Sequence, residues 1–513
     1  MKMSQLFGRT LREDPADAEM ISHKLALRAG LARQIGAGLY AYLPLGWRVI
    51  RRLEAVIREE MDAIGGQEMH MPVVNPAELW QATGRWQSLA PVLARFRDRN
   101  GRDLALAVTA EELVAELARR EVETYRQLPR LVYHFQTKFR DEARPRGGLI
   151  RLREFLMKDA YSLHADAAEL DEFYPAMYNA YLRIFERVGL EVTPVEADSG
   201  AMGGSVSHEF ALPHPQGEDV FLRCERCGYT ANVETAQFVR PPGVDGEPLP
   251  PQKVATPNTA TIADLARLLG LETRQTLKAV FYVRETGTDP AEFLFVVVRG
   301  DLEVDEAKLR KASGPGTLRP ASDAEIRAVG AVPGYASPAG LAVRRAGQSS
   351  GVTVLADLSI TLGANFAAGA NEEGYHLLNV NYPRDFAVTA VADLARAQSG
   401  CACARCGGAL AAERAIELGH CFQLGTFYAE GLRATFLNAA GQPQPLVMGS
   451  YGIGLDRLLA AVLERHHDAD GICWPPAVAP YDIHLISLKQ DAQAESLYRA
   501  LQARGLSVLF DDR

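Results

Sequence analysis

The chain has 513 residues, 47% hydrophobic and 23% charged, with a formal net charge of −9, which suits a soluble globular protein of about three domains. The acidic balance excludes general adhesion to nucleic acid, so any RNA contact must come from local basic patches such as Arg95, Arg97, Arg99 and Arg102. No apolar run approaches a membrane span and the N-terminus lacks the apolar core of a signal peptide; seven cysteines, most of them in two tight clusters, fit a reducing cytoplasm better than a disulfide framework.

In chain order, residues 16–34 predict a helix leading into the glycine-rich stretch Gly36-Ala37-Gly38. A second helix runs from about Trp47 to Ile64, with Val49, Ile50, Leu53, Val56 and Ile57 on one stripe and Gly65-Gly66 as its stop. A strand from Glu68 to Val74 follows, and Pro72 demotes it to an edge or an interface. Leu104 to Thr109 alternates weakly as a strand and ends in Thr109-Ala110-Glu111-Glu112, an order common at helix starts.

The stretches Arg130–Lys138 and Arg151–Asp159 predict two antiparallel strands around the basic turn Arg144-Pro145-Arg146-Gly147-Gly148. This hairpin carries Arg140, Arg144, Arg146, Arg151 and Arg153, with Glu142 among them and Phe155 beside them. So many guanidinium groups next to an aromatic suit a polyphosphate with a flat base; the alternative is a solvated hairpin whose arginines only keep it soluble. A helix is predicted over 171–188, then a glycine-rich loop running to Ser207-His208-Glu209. Those three neighbours are no nucleophile triad, because side chains alternate along an extended strand.

Cys224-x-x-Cys227 and the distant Cys403-x-x-Cys406 each sit on a knuckle-like turn. Together they make either a structural four-thiolate zinc site or two reduced turns without metal. The interval between them reads as a separate domain. A proline-rich linker precedes an α/β pattern with a helix at 262–269, strands at 277–283 and 293–299, and a helix at 306–311. Past it come Glu417-Leu418-Gly419-His420-Cys421-Phe422-Gln423-Leu424-Gly425-Thr426 and a buried strand that runs into Gly452-Ile453-Gly454-Leu455-Asp456-Arg457. The latter lacks the third glycine and the βαβ setting of a dinucleotide fingerprint. Arg457 stands in the first turn of an apolar helix, where the dipole disfavours a cation, so it is best explained by an anion it must reach. After Cys473-Trp474-Pro475-Pro476 the chain shows a strand, a helix and a second strand, and stops.

Phe139-Arg140-Asp141-Glu142, the basic turn and Arg151 to Phe155 resemble motif 2 of the class II aminoacyl-tRNA synthetases. The early helix and proline-bearing strand resemble motif 1, and Gly452 to Arg457 resembles motif 3. The wording Thr137 to Glu142, with Arg153 to His164 behind it, is similar to the bacterial prolyl-tRNA synthetases in particular.

That resemblance implies an α/β (α+β) fold with an antiparallel sheet flanked by helices. The catalytic core would take 1–235 and 401–475, an inserted α/β editing domain 236–400, and an incomplete α/β anticodon-binding domain 476–513, which is either truncated or much reduced. It implies a ligase, a cytoplasmic homodimer, that joins L-proline to proline tRNA using ATP and Mg2+. Arg140 would hold the proline carboxylate and the α-phosphate, Glu142 would accept from the adenine amino group, and Phe155 would stack on the adenine. Arg151 and Arg457 would grip the γ-phosphate, and Gln423 and Thr426 would touch the nucleotide. Thr109, Glu111, His420 and Ser450 would join Arg140 around proline, with Ala110 where the family usually has His. In the insert, Lys278 would hold the tRNA 3′ end, the Gly330 loop would shape a small pocket and His376 would face the ester of misacylated alanyl-tRNA. Many family members bind no metal at the cysteines. The remaining alternatives are another class II synthetase, such as the threonyl type, and a non-catalytic tRNA-binding paralogue.

Overall fold

The computed structural model describes residues 1–15, 18–204, 206–285, 290–314, 316–344 and 350–513. They divide into two units, one of 1–219 with 414–513 and one of 220–413.

The larger unit is built on the basic hairpin. Strands Arg130–Phe139 and Glu154–His164 pair antiparallel from Arg130↔Leu163 to Phe139↔Glu154, leaving residues 140–153 as the loop. Strand Val447–Gly454 joins the free edge of Glu154–His164, strand Leu410–Gly425 joins that, and Val206–Pro213 and Thr193–Glu196 continue, all antiparallel. Gly66–Glu68 closes the other edge in parallel with Arg130–Phe139. Helices Pro44–Ala63, Ala167–Arg187 and Leu455–Arg465 cover one face. Val49, Ile50, Leu53 and Ile57 of the predicted stripe are fully buried there with Tyr181, Phe185, Leu458 and Leu459. Each such side chain contributes roughly 1.5–3 kcal/mol of burial, so this layer anchors the sheet beneath the loop of 140–153.

Two predictions for the first hundred residues differ from what forms. Of the expected helix over 16–34, whose residues 16 and 17 lie outside the described ones, the described residues form only Ile21–Arg28, and a tight hairpin, Ala32–Gly36 with Leu39–Tyr42, takes the glycine-rich stretch. The expected strand Glu68–Val74 is broken around Pro72 into Gly66–Glu68 and Val74–Pro76, each paired with a different neighbour.

At the far end, Ile483–Ile486 and Val508–Asp511 pair in parallel beside helix Asp491–Ala503, with Ala494, Tyr498, Val508 and Phe510 as a small core. Two strands alone make a marginal sheet. The first residues of the chain pack beside it: the Met1 ammonium donates to the Tyr498 hydroxyl at 2.6 Å and to the Val508 carbonyl at 2.8 Å, and the Phe510 N–H donates to the Met1 carbonyl.

The unit of 220–413 has a five-stranded sheet in the order Thr317–Pro320, Leu277–Glu285, Glu292–Arg299, Thr353–Asp357, Ala390–Ala392. A three-stranded sheet of Gln252–Ala255, Tyr375–Val380 and Phe366–Gly369 packs with it around Phe295, Val297, Ile326, Val354 and Phe366. Helix Ile262–Leu269 has the bounds its sequence predicts, capped by the Thr261 hydroxyl.

Candidate active site

A cavity of about 480 Å³ opens in the larger unit, with walls drawn from segments far apart in sequence. Arg140, Glu142, Arg151 and Phe155 come from the hairpin, and Thr109 and Glu111 from the start of helix Glu111–Glu121. Glu417 and His420 come from strand Leu410–Gly425, Ser450 from Val447–Gly454, and Arg457 from the helix behind it. A neighbouring recess of about 800 Å³ shares Arg151, Glu417 and Arg457 and adds Arg146 and Arg414. The loop carrying the arginines is braced by the early hairpin: the Gly38 carbonyl accepts from the Arg153 N–H at 3.0 Å. Gly38 has φ +72°, and a Cβ there would stand 2.7 Å from Pro145 Cβ, so only glycine allows this approach.

Three of the four arginines on the wall are held by carboxylates. Arg151 donates to Glu142 at 3.1 and 2.9 Å and to Glu218 at 3.1 Å. Burial opposes its charge, but these partners win and raise its pKa. Arg457 donates to the carbonyls of Ile150 (3.0 Å) and Glu417 (2.9 Å) and to the Glu417 carboxylate (3.0 Å), three acceptors that offset its place at a helix N-terminus. Burial alone would push the Glu417 carboxyl up; the hydrogen bond from His420 and the Arg457 guanidinium hold it at about 2. Arg85, which the sequence did not suggest, donates to Glu112 at 2.9 and 3.0 Å and to Glu111 at 3.3 Å. Arg140 differs. Its Nε and Nη2 reach only the Val108 carbonyl, at 3.3 and 3.2 Å, and its guanidinium lies 5.1 Å from the Phe155 ring centre. Burial, then Arg457 nearby, lowers its pKa. Among the described residues it is the one arginine of this wall without a carboxylate partner.

Glu111 is buried yet lines the cavity. It accepts from Thr109 Oγ1 at 2.6 Å and from Ser450 Oγ at 2.8 Å. Thr109 therefore serves this carboxylate and caps no helix; the N-cap position is Ala110. His420 is fixed at both nitrogens, Nδ1 against Glu417 at 3.1 Å and Nε2 against the Ser207 hydroxyl, and stacks on Phe422 at 3.8 Å. Ser207 is not on the cavity wall, so this hydroxyl–imidazole–carboxylate series orients His420 and offers no nucleophile.

Gln423 and Thr426 stand off the wall. Strand alternation turns His420 and Phe422 to the cavity and Gln423 to the opposite face, where its Nε2 donates to Asp171 at 2.8 Å. Thr426 lies past the strand and donates to Glu430 at 2.7 Å. Residues that sequence reasoning missed on the wall are Arg85, Asp159, Asp456 and Glu417. Asp456 accepts from the Tyr42 hydroxyl (2.5 Å) and the Leu156 N–H (2.6 Å), and burial pushes it up to about 6. Asp456, Glu417 and Asp159 stood inside the quoted motifs; Arg85 had no such clue.

In the unit of 220–413, the Sγ atoms of Cys224, Cys227, Cys403 and Cys406 all lie within 4.8 Å of one another, with Cys224–Cys406 at 3.4 Å and Cys227–Cys403 at 3.7 Å. A tetrahedron of thiolates around zinc, with arms of ~2.3 Å, has edges of about 3.8 Å, so the four fit that ion. Lys278 donates to Glu303 and is partly exposed. His376 is buried, 2.6 Å from the Thr256 hydroxyl, and burial lowers its pKa to about 4. Gly330, at φ +84°, ends a helical turn by donating to the Arg327 carbonyl.

Residues 95–466 match the family described as the tRNA synthetase class II core domain (G, H, P, S and T), which sets the class. All of the chain aligns with proline–tRNA ligase of Salinispora tropica at 49% identity, covering 86% of that protein, and with that of Dehalococcoides mccartyi at 46%, covering 89%. A crystal structure of prolyl-tRNA synthetase from Cryptosporidium parvum complexed with halofuginone and AMPPNP superposes with a TM-score of 0.52, over 99% of this chain and 67% of that one. A second, complexed with L-proline and AMP, superposes equally well over 65% of its chain. At 12% identity these two speak for the fold alone. The chain belongs to the proline–tRNA ligase family of class II synthetases. No described helix is long and apolar enough to cross a membrane.

Proposed function

We propose that this chain activates L-proline with ATP to prolyl-adenylate and passes the prolyl group to the 3′ end of proline tRNA. The observation that carries it is the charge arrangement on one cavity wall, an anchored Glu111 carboxylate together with an Arg140 guanidinium that no carboxylate neutralises. That is the complement of a zwitterionic amino acid lying beside a phosphate.

Glu111, steadied by Thr109 and Ser450, takes the imino-acid ammonium, which needs a charged partner once desolvated. Arg140 holds the proline carboxylate and the α-phosphate together. The carboxylate is already ionised, so no general base is required; its oxygen bonds to the α-phosphorus and pyrophosphate leaves. Phe155 stacks on the adenine, Glu142 accepts from its amino group, and Arg151 and Arg457 grip the γ-phosphate. Catalysis is positioning plus charge stabilisation. The carboxylate oxygens of Glu218, Asp219 and Glu417 would hold a magnesium ion entering with ATP, which would supply charge stabilisation on the phosphates. Exchange of labelled pyrophosphate into ATP should depend on proline and vanish in Arg140→Ala. Exchange driven by threonine, or none with any amino acid, would overturn the reading.

Residues 236–400 form, in this reading, an editing domain that hydrolyses alanyl-tRNA, using Lys278, the Gly330 loop and His376. A proline pocket cannot exclude alanine by size, since a smaller side chain forfeits only a few kcal/mol of contact. The four cysteines hold a structural zinc, supported by their spacing. A cytoplasmic homodimer completes the reading, with family membership as its support.

A further inference from the structure

We propose that Arg85 and Glu112, which no part of the reaction touches directly, set the net charge of the subsite for the substrate's ammonium. This rests on the reading that Glu111 receives that ammonium. Arg85 is 3% exposed, and Glu111 and Glu112 are fully buried. Arg85 Nη1 is shared between them, at 3.3 Å from Glu111 Oε2 and at 2.9 and 3.0 Å from the two oxygens of Glu112. The guanidinium is clamped between Trp80 and Tyr428, 5.4 and 5.2 Å from their ring centres, and Glu112 also accepts from the Thr83 hydroxyl at 3.0 Å. Neither partner can swing away to solvent.

The charge count follows. Burial raises the Glu112 carboxyl and the Arg85 charge pulls it back; with both carboxyls ionised, one guanidinium between two carboxylates leaves the cluster with one net negative charge, out of water and open to the cavity only through Glu111 and Arg85. An unpaired buried charge is costly, and a ligand ammonium supplies the missing cation. Without Glu112, Arg85 would neutralise Glu111 and the subsite would lose its preference for a cation. Without Arg85, two adjacent buried carboxylates would repel. Glu112 is thus a positioning residue for Arg85, and Arg85 for Glu111. The pair makes the pocket select an amino group and discriminate against a neutral ring of the same shape.

Pyrophosphate exchange on the full chain tests this, with tetrahydrofuran-2-carboxylate, the oxygen analogue of proline, as a competitive inhibitor. Glu112→Gln keeps the shape and one of the two acceptor oxygens that Arg85 uses, and should raise KM for proline on the order of tenfold, leaving KM for ATP and Ki for the oxygen analogue unchanged. The double variant Arg85→Met with Glu112→Gln restores one negative charge and should return KM for proline close to wild type. The proposal fails if Glu112→Gln leaves KM for proline unchanged, or shifts the analogue's Ki by the same factor as a merely structural ion pair would. It also fails if the folded double variant is no better than Glu112→Gln. Should the double variant not fold, the split between proline and its oxygen analogue in Glu112→Gln decides alone. Absence of proline-dependent exchange in the wild-type chain would instead sink the underlying reading.

Discussion

Replacing Arg140 with lysine keeps a cation but changes everything else about it, which makes Arg140→Lys the sharpest probe of the site. Arginine reaches the Val108 carbonyl through Nε and Nη2 while its plane lies over Phe155. A lysine loses the fork, hence one of two parallel bonds to an anionic ligand, worth about 1.5–3 kcal/mol for a charged group. It also weakens the contact with the ring, worth roughly 0.5–1 kcal/mol. The sum, about 2–4 kcal/mol, predicts a fall in kcat of roughly 30- to 1,000-fold. A second consequence concerns pH. Burial and the Arg457 charge lower the pKa of Arg140, yet a guanidinium starts so high that it stays charged. The same surroundings act on an ammonium from a lower start, and Lys158, wholly buried nearby in the same sheet, is brought by burial to about 7. The working form is the cation, so activity of the lysine variant should be lost as pH rises, at roughly pH 7–10, where the parent shows no such limb. Pyrophosphate exchange across that range, with proline and ATP saturating, reads both effects. A variant with parental kcat, or with a loss independent of pH, would refute the account of Arg140.

Metal analysis of the purified chain should find about one zinc, and Cys403→Ser or chelation should lower the melting temperature of the unit of 220–413; a metal-free protein of unchanged stability would remove the site. His376 sets a pH dependence in the same unit. Its folded pKa lies below the ordinary 6.5, at about 4, so the unfolded chain binds the extra proton between those values. Stability is then full above pH 6.5 and falls by ~3 kcal/mol as pH drops toward 4, and melting of His376→Gln should be less acid-sensitive over that window. Lys278→Ala should slow deacylation of alanyl-tRNA on the order of tenfold or more while proline-dependent exchange is retained; equal deacylation by both proteins would argue against a role in editing.

What was legible in the sequence were features that repeat along it or stand out chemically. The strand-forming residues on either side of the arginine-rich turn pointed to the central hairpin, and the unfavourable dipole at Arg457 pointed to an anion; the structure sets Arg457 on one cavity wall with Arg140 and Arg151. The helix expected over 16–34 failed because Gly36 and Gly38 make a hairpin turn, a choice decided by the loop of 140–153 that packs on it. Gln423, assigned to the nucleotide by family resemblance, lies on the face to which period-two alternation from His420 turns it, off the cavity wall. Arg85 had no pattern at all, and Glu112 showed only as part of a common helix start. A charged residue in a four-residue helix becomes notable only when tertiary folding buries it against two acids.

The proposed nucleotide contacts of Glu142 and Arg151 raise the question of how two residues that satisfy each other would also serve a ligand. Arg151 donates through Nε and Nη2 to a single oxygen, Oε2, and through Nη1 to Glu218. A carboxylate has about four lone-pair sites and a guanidinium five N–H groups, so neither is exhausted. Oε1 of Glu142 takes no hydrogen bond from the described residues and suits an adenine amino group without the ion pair breaking. The second N–H groups of Arg151 remain for a phosphate. Each residue fixes the other before the nucleotide arrives, so little reorganisation is left for the reaction. Arg140 needs no such partner, because its plane is fixed by Phe155 and its fork by Val108. In the proposed reaction its charge therefore remains for the two anions that react.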